Sequence, residues 1–117
     1  MFHSQFKVFN GSLESFDAIK GEIETFVAHH KISARSIGIE FIEHNKEILV
    51  SLGYSKGDHH APISITPVNF GKVNLHDKAD LEKKMTEAAE KQKNVICHEL
   101  FVTDKDELLM VFMSHKN

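Results

Sequence analysis

The stretch VICHELFVTDKDELLMVFM, residues 95–113, decides the fold. Val95–Val102 and Leu108–Met113 are apolar segments around a polar turn at Asp104 and Lys105, the pattern of a β-hairpin. Side chains alternate across a strand, so Leu109, Val111 and Met113 point one way while Leu108, Met110 and Phe112 point the other. An antiparallel sheet with one wet face would alternate apolar with polar. This strand demands cover on both faces.

A second hairpin lies upstream. Ile37–Ile42 and Ile48–Tyr54 flank Glu43–Glu47, and a turn centred on Asn45 and Lys46 pairs Glu40 with Ser51 and Gly38 with Gly53. Each hairpin follows a helical pattern. Leu13, Phe16, Ile19, Ile23, Phe26 and Val27 recur at helical spacing over Leu13–His30, with Ser12 as N-cap. Leu81, Met85, Ala88 and Ala89 do so from Asp77 or Asp80 to Lys93, with Asn94 as the stop. At the start, Phe2, Phe6 and Val8 alternate with His3, Gln5 and Lys7, predicting a strand buried through Phe6 and Val8 and broken at Asn10 and Gly11. Gly57, Pro62, Pro67 and Gly71 predict a long connection over Ser55–His76, with a short strand within Ile63–Val73. The chain thus reads as one α+β domain, 1–117, of two strand-helix-hairpin halves, 2–54 and 63–114. Glu40–Ser55 overlays Glu99–Ser114 without gaps, sharing Glu40 with Glu99, Lys46 with Lys105, Leu49 with Leu108 and Ser55 with Ser114.

Right-handed crossovers would place both helices on one face of a common sheet. The opposite face, with Phe101, Leu108, Met110 and Phe112, is then uncovered, forgoing about 1.5–3 kcal/mol per large side chain. A second copy is the expected cover, because two-fold homodimers are the commonest assembly. The alternative lid, the 55–76 connection, is polar and rich in Gly and Pro. This layout, carried by the hairpins Ile37–Tyr54 and Val95–Met113 and by the element order over Phe2–Met113, resembles the ferredoxin-like, dimeric α+β-barrel superfamily. In detail it is similar to small dimeric ferredoxin-like proteins known from marine environmental sequences. The resemblance implies an antiparallel sheet with two helices on one face and two sheets packed face to face in a homodimer. It spans cofactor-independent oxygenases, haem-handling enzymes, isomerases and proteins without an assigned activity, so it selects no chemistry. The extra terminal strand and the long middle connection depart from the minimal pattern.

Composition narrows the function classes. The 117 residues carry 14 Lys and Arg against 17 Asp and Glu, a formal charge of −3, and the one arginine is Arg35. Lys83 and Lys84 are interleaved with Glu82 and Glu87, so the basic footprint of a nucleic-acid binder is missing. Protonating all nine histidines would bring the charge to −3 + 9 = +6, which reverses the surface potential in mild acid. No apolar run reaches the roughly 18 residues of a membrane span, and Met1–Asn10 lacks the pattern of a secretory leader. With Cys97 as the sole cysteine, no intrachain disulfide forms and a cytoplasmic address is expected.

Glu40 and Glu99 each interrupt an apolar strand, and buried carboxyls hold their protons more tightly and serve as acids or bases. With His98 they are the proton-transfer candidates. Gly38, Ser51 and Gly53 share the face of Glu40, and the overlay places Cys97, Glu99, Met110 and Phe112 on the matching face of the second hairpin. Together with Tyr54 as a hydrogen-bonding group, these line the expected small-molecule cavity. The structural alternatives are that Glu40 and Glu99 sit near a sheet edge and reach water or pair with Lys7 and Lys72, a core role for His98, and Cys97 as a small hydrophobe. Asp58, His59 and His60 are candidate metal ligands, with His76 or His3 as a third, although a solvated turn explains the same residues. Neither a Gly-rich phosphate loop nor a serine-nucleophile elbow is present, and no cofactor is implied. The expectation is a homodimeric small-molecule-binding protein. A cofactor-independent oxygenase or isomerase for a small organic substrate, and metal binding through His59 and His60, are the alternatives.

Overall fold

Two hairpins organise the chain, and the computed structural model describes them within residues 4–116. The elements are β1 (Gln5–Ser12), α1 (Phe16–Ala28), β2 (Lys31–His44), β3 (Glu47–His60), β4 (Ile63–Lys72), α2 (Lys78–Glu90), β5 (Val95–Val102) and β6 (Glu107–His115). They build two three-stranded antiparallel sheets in the orders β1-β3-β2 and β4-β6-β5, so each half puts the second hairpin strand in the centre. Phe2 and His3 lie outside the described residues.

Local chemistry sets the boundaries. Ser12 accepts the Ser15 N–H at 3.2 Å, capping a single 3₁₀ turn (Leu13–Ser15) that leads into α1. Asp77 accepts the Asp80 N–H at 3.1 Å and starts α2. Asn94, at φ 57°, turns the chain into β5. The expected 55–76 connection is mostly sheet: β3 runs on to His60, β4 begins at Ile63 after the two-residue link of Ala61 and Pro62, and the segment before α2 is irregular. β1 likewise continues through Asn10 and Gly11, which pair with Leu49 and Ile48.

The two hairpin turns differ by one residue, with large effect. Asn45 and Lys46, at φ 52° and 69°, form the two-residue type I′ turn that suits twisted strands, and the predicted pairs Glu40↔Ser51 and Gly38↔Gly53 are present. The second turn has three residues between Thr103 and Glu107, with Asp106 at φ 59°; the Thr103 N–H donates to the Glu107 carbonyl at 2.9 Å. Thr103 Oγ1 accepts the Lys105 and Glu107 N–H groups, which holds this longer loop. Glu99 therefore pairs with Val111 and Cys97 with Met113. Met110 and Phe112 lie on the other face, and the gapless overlay of the halves fails at this turn. A one-residue change in register exchanges the faces of a strand.

The main core joins both halves. Phe16, Ile19, Ile23 and Val27 of α1 meet Ile48, Val50 and Leu52 of β3, and Ile63, Ile65, Phe101, Leu109, Val111 and Met113 complete the cluster. Met110 and Phe112 pack on the opposite side against Ala88 and Met85 of α2 and against Val68 and Phe70 of β4. β6 is thus buried from Leu108 through Ser114 by its own chain. This corrects the expectation of one ferredoxin-like sheet with both helices on one side and a bare face bearing Phe101, Leu108, Met110 and Phe112. The halves do not share a ladder. The second sheet turns the face opposite α2 onto the α1 core, so the helices lie on opposite sides of it.

The broader uncovered apolar sheet face is on the first sheet, while β5 of the second leaves Leu100 and Val102 exposed on the side of α2. Phe6 (65% exposed), Val8 (53%), Ile42 (58%) and Leu49 (41%) lie on the side away from α1. Phe9, opposite Val50, is the β1 aromatic that enters the core. Phe6 and Val8 keep the expected period and take the unexpected face.

Two glycines make the packing testable. At Gly57 a Cβ would lie 2.6 Å from the Ser33 backbone nitrogen and 2.7 Å from the Ile32 carbonyl carbon, where β2 is irregular. At Gly21, within α1, a Cβ meets nothing within 4 Å. Urea denaturation should show Gly57→Ala less stable by about 1–3 kcal/mol from overpacking. Gly21→Ala should be more stable by about 0.5–1 kcal/mol from helix propensity.

Candidate functional site

β2 and β5 are the facing edge strands of the two sheets, yet no ladder joins them. β5 meets the β2 edge with side chains. Phe101 stacks on Phe41 at 5.5 Å between centroids, the Ile39 backbone hydrogen-bonds the Cys97 sulfur, and Glu99 lies within the field of Glu40. On the outer side of this junction is a cleft of about 220 Å³, lined by Phe6, Gly38, Ile39, Glu40, Ser51, Gly53, Cys97 and Glu99.

Cross-strand rows explain its shape. Phe6 pairs with Gly53 and Gly53 with Gly38, so an aromatic ring stands beside two residues without side chains. Val8, Ser51 and Glu40 form the next row. The glycines open the floor, and the neighbouring row supplies a hydroxyl and a carboxylate.

Burial raises the pKa of Glu99, the Glu40 charge raises it further, and His98 opposes both. Burial pushes the Cys97 thiol up to about 11, with the Ile39 hydrogen bond pulling down and the Glu99 charge adding to the rise. Cys97 is therefore a neutral wall group at physiological pH rather than a thiolate nucleophile. Among the described residues no lysine pairs with Glu40 or Glu99; the ion pairs are Lys20–Glu24 and Lys84–Asp80. Lys7 instead lies 5.8 Å from the Phe26 ring centre.

The structure gathers Gly38, Glu40, Ser51, Gly53, Cys97 and Glu99, and leaves out other candidates. Tyr54 points to the α1 side, edge-on to Phe26 at 5.5 Å, with its hydroxyl toward Gln5 at 3.5 Å. Met110 and Phe112 are filled in against α2. His98 is exposed on the strand face that pairs with Phe112, so it is neither a core histidine nor part of the cleft lining. Asp58, His59 and His60 are exposed at the end of β3, and His60 Nδ1 bonds the Ala28 carbonyl at 3.0 Å, tying down the end of α1. Among the described residues no three His, Cys, Asp or Glu side chains are placed to hold a metal ion. His76 lies in the segment before α2, where its N–H donates to Asn74 Oδ1. The residue that sequence reasoning missed is Phe6; its signal was the aromatic-glycine pairing, visible only once the register is known.

Larger depressions exist elsewhere. One of about 810 Å³ separates β1 from α1, and one of about 640 Å³ lies among the hairpin turns and the start of α1. The smaller cleft is the candidate site because it sets Cys97 and Glu99, whose pKa values are displaced, beside Glu40, Phe6 and two glycines. The chain matches no family model, no curated protein and no solved structure. The α+β architecture with antiparallel sheets and two helices therefore stands on the structure alone.

Two measurements follow from these electrostatics. A carboxyl whose folded pKa is raised contributes stability that is complete below its unfolded pKa and lost as pH rises through the folded value. Glu99→Gln should therefore be more stable than the parent at neutral pH, the gap closing as pH falls through the carboxylate range in chemical denaturation. A thiol at about 11 rather than 9.0 holds roughly a hundredfold less thiolate, so iodoacetamide at pH 8 should alkylate Cys97 on the order of a hundredfold more slowly than an unperturbed cysteine.

Proposed function

We propose that this protein binds a compact cationic small molecule between Glu40 and Glu99 and works as a homodimer through the outer face of the first sheet. The supporting observation is the pair of carboxylates at the β2–β5 junction, set beside an aromatic ring and two glycines. Burial first and the Glu40 charge second raise Glu99; a cation between the carboxylates offsets the second of these, and the Phe6 face adds a cation–π contact. At about 220 Å³ the cleft is smaller than ordinary ligand pockets of roughly 300–1,000 Å³ and opens on the face bearing Phe6, Val8, Ile42 and Leu49. A second copy on that face would enclose it. The raised Glu99 also favours a second reading, a cofactor-independent oxygenase or isomerase in which Glu99 moves a proton.

Sedimentation should give a dimer for the parent and a monomer for Leu49→Lys, an exposed substitution that spares the core. Thermal shift with putrescine and choline as probes should show stabilisation of the parent that Glu40→Gln and Glu99→Gln remove. A parent monomer sinks the dimer, and unshifted melting with both probes sinks the cationic ligand.

A further inference from the structure

The outermost strands of the two sheets, β1 and β4, have very different edges. β4 carries Pro67, which has no N–H to offer, and an irregular register between Asn69 and Lys72. Its Ile65 N–H donates to Glu24 of α1 at 2.7 Å. β1 has none of these guards: it contains no proline and pairs without irregularity from Gln5 to Ser12. Beyond its free side lies the groove of about 810 Å³.

The far wall of that groove is one stripe of α1. Ala18, Gly21 and Thr25 are small, and a Cβ at Gly21 would stand in open space. The start of β1 faces the end of α1, since Phe9 and Lys7 approach Phe26 while Gly11 approaches Ile19. At that end lies the positive charge of Lys7, and the His29 and His30 imidazoles border it as hydrogen-bonding groups, with His30 stacked on Phe26 at 4.1 Å. Glu22, further back along α1, is the one acidic residue of the lining. The α1 carbonyls there are already engaged, Thr25 by the His29 N–H, Phe26 by His30 Nδ1 and Ala28 by His60 Nδ1. Among the described residues no carboxylate pairs with Lys7.

We infer that the β1 edge and α1 form a docking site for an extended peptide of another protein, added antiparallel to β1, with its C-terminal carboxylate at Lys7, His29 and His30. Unpaired edge groups supply main-chain hydrogen bonds and the helix wall supplies side-chain selection. Antiparallel addition brings the C-terminal end of the peptide to the start of β1, where the positive charge lies. A two-fold pairing of β1 with a second copy would instead bring Asn10 and Gly11 to that end, and neither carries a carboxylate.

The test selects from a random octapeptide library with free C-termini on the full chain, then compares each enriched peptide as acid and as C-terminal amide. Expected are binding of the acid, at least tenfold weaker binding of the amide, and hydrogen-exchange protection of β1 amides on binding. Gly21→Leu, whose Cβ stands in open space and whose branch projects into the groove, should abolish binding with the melting temperature within a few degrees of the parent, and Lys7→Glu should weaken binding at least tenfold. No enriched peptide, equal binding of acid and amide, binding that survives Gly21→Leu, or protection confined to other strands would overturn the inference. Concentration-dependent protection of β1 that persists without peptide in Leu49→Lys, where the face-to-face pair is broken, would assign the edge to a second copy and overturn it as well.

Discussion

The contact on which the rest of the structure depends is that of β5 side chains with the edge strand β2. Had these edges hydrogen-bonded, the six strands would form one sheet, both helices would share a side, and β6 would need a partner to cover its other face. Phe101 stacks on Phe41 instead, and Cys97 takes the Ile39 backbone. The second sheet thereby turns its face with Leu109, Val111 and Met113 onto the α1 core. The same junction brings Glu99 to Glu40, so cover for β6 and the cleft have one origin.

What the sequence made legible follows from periods and turns. Helical spacing located α1 and α2, the Asn45-Lys46 turn set the first hairpin in register, and that register grouped Gly38, Glu40, Ser51 and Gly53 on one face. Period two says that a strand has two faces, not which one is inside. Period alone places Phe6 and Val8 in the core, whereas α1 lies on the other side and takes Phe9. The second hairpin hid its register in a loop one residue longer than the first. Cys97 and Glu99 were nevertheless grouped with Glu40, while Met110 and Phe112, placed with them by the same overlay, belong to the α2 core.

The demand read from β6 was sound, and its resolution was not visible in the chain. A strand apolar on both faces requires two covers. Choosing between a partner and the second layer of a single chain depends on how the halves meet, which is a property of the β2–β5 edge. Nothing local in Ile37–Ile42 or Val95–Val102 distinguishes an edge that continues a ladder from one that receives side chains. Separately, the Gly and Pro residues of Ser55–His76 predict a connection, yet Gly57 sits in β3 because β2 approaches it too closely for a Cβ, and Pro67 is tolerated because β4 is an edge.

Stacking two similar halves in the same sense also explains why a bare face remains. Each half has a helix-covered face and an open one. The open face of the second half closes on the first, while that of the first, with Phe6, Val8, Ile42 and Leu49, has no neighbour within the chain. Head-to-tail addition of another copy would require an apolar outer surface on α2, but Lys78, Glu82, Lys83, Thr86, Glu87 and Glu90 are exposed there. A two-fold pair of first sheets needs no such surface, because each copy offers the other the same apolar strip. It would also place two Glu40–Glu99 clefts on one buried interface, where loss of water strengthens every charge interaction inside them. Both causes that raise Glu99, burial first and the Glu40 charge second, would then grow rather than fade, and a cation between the carboxylates would become part of what makes such a pair stable.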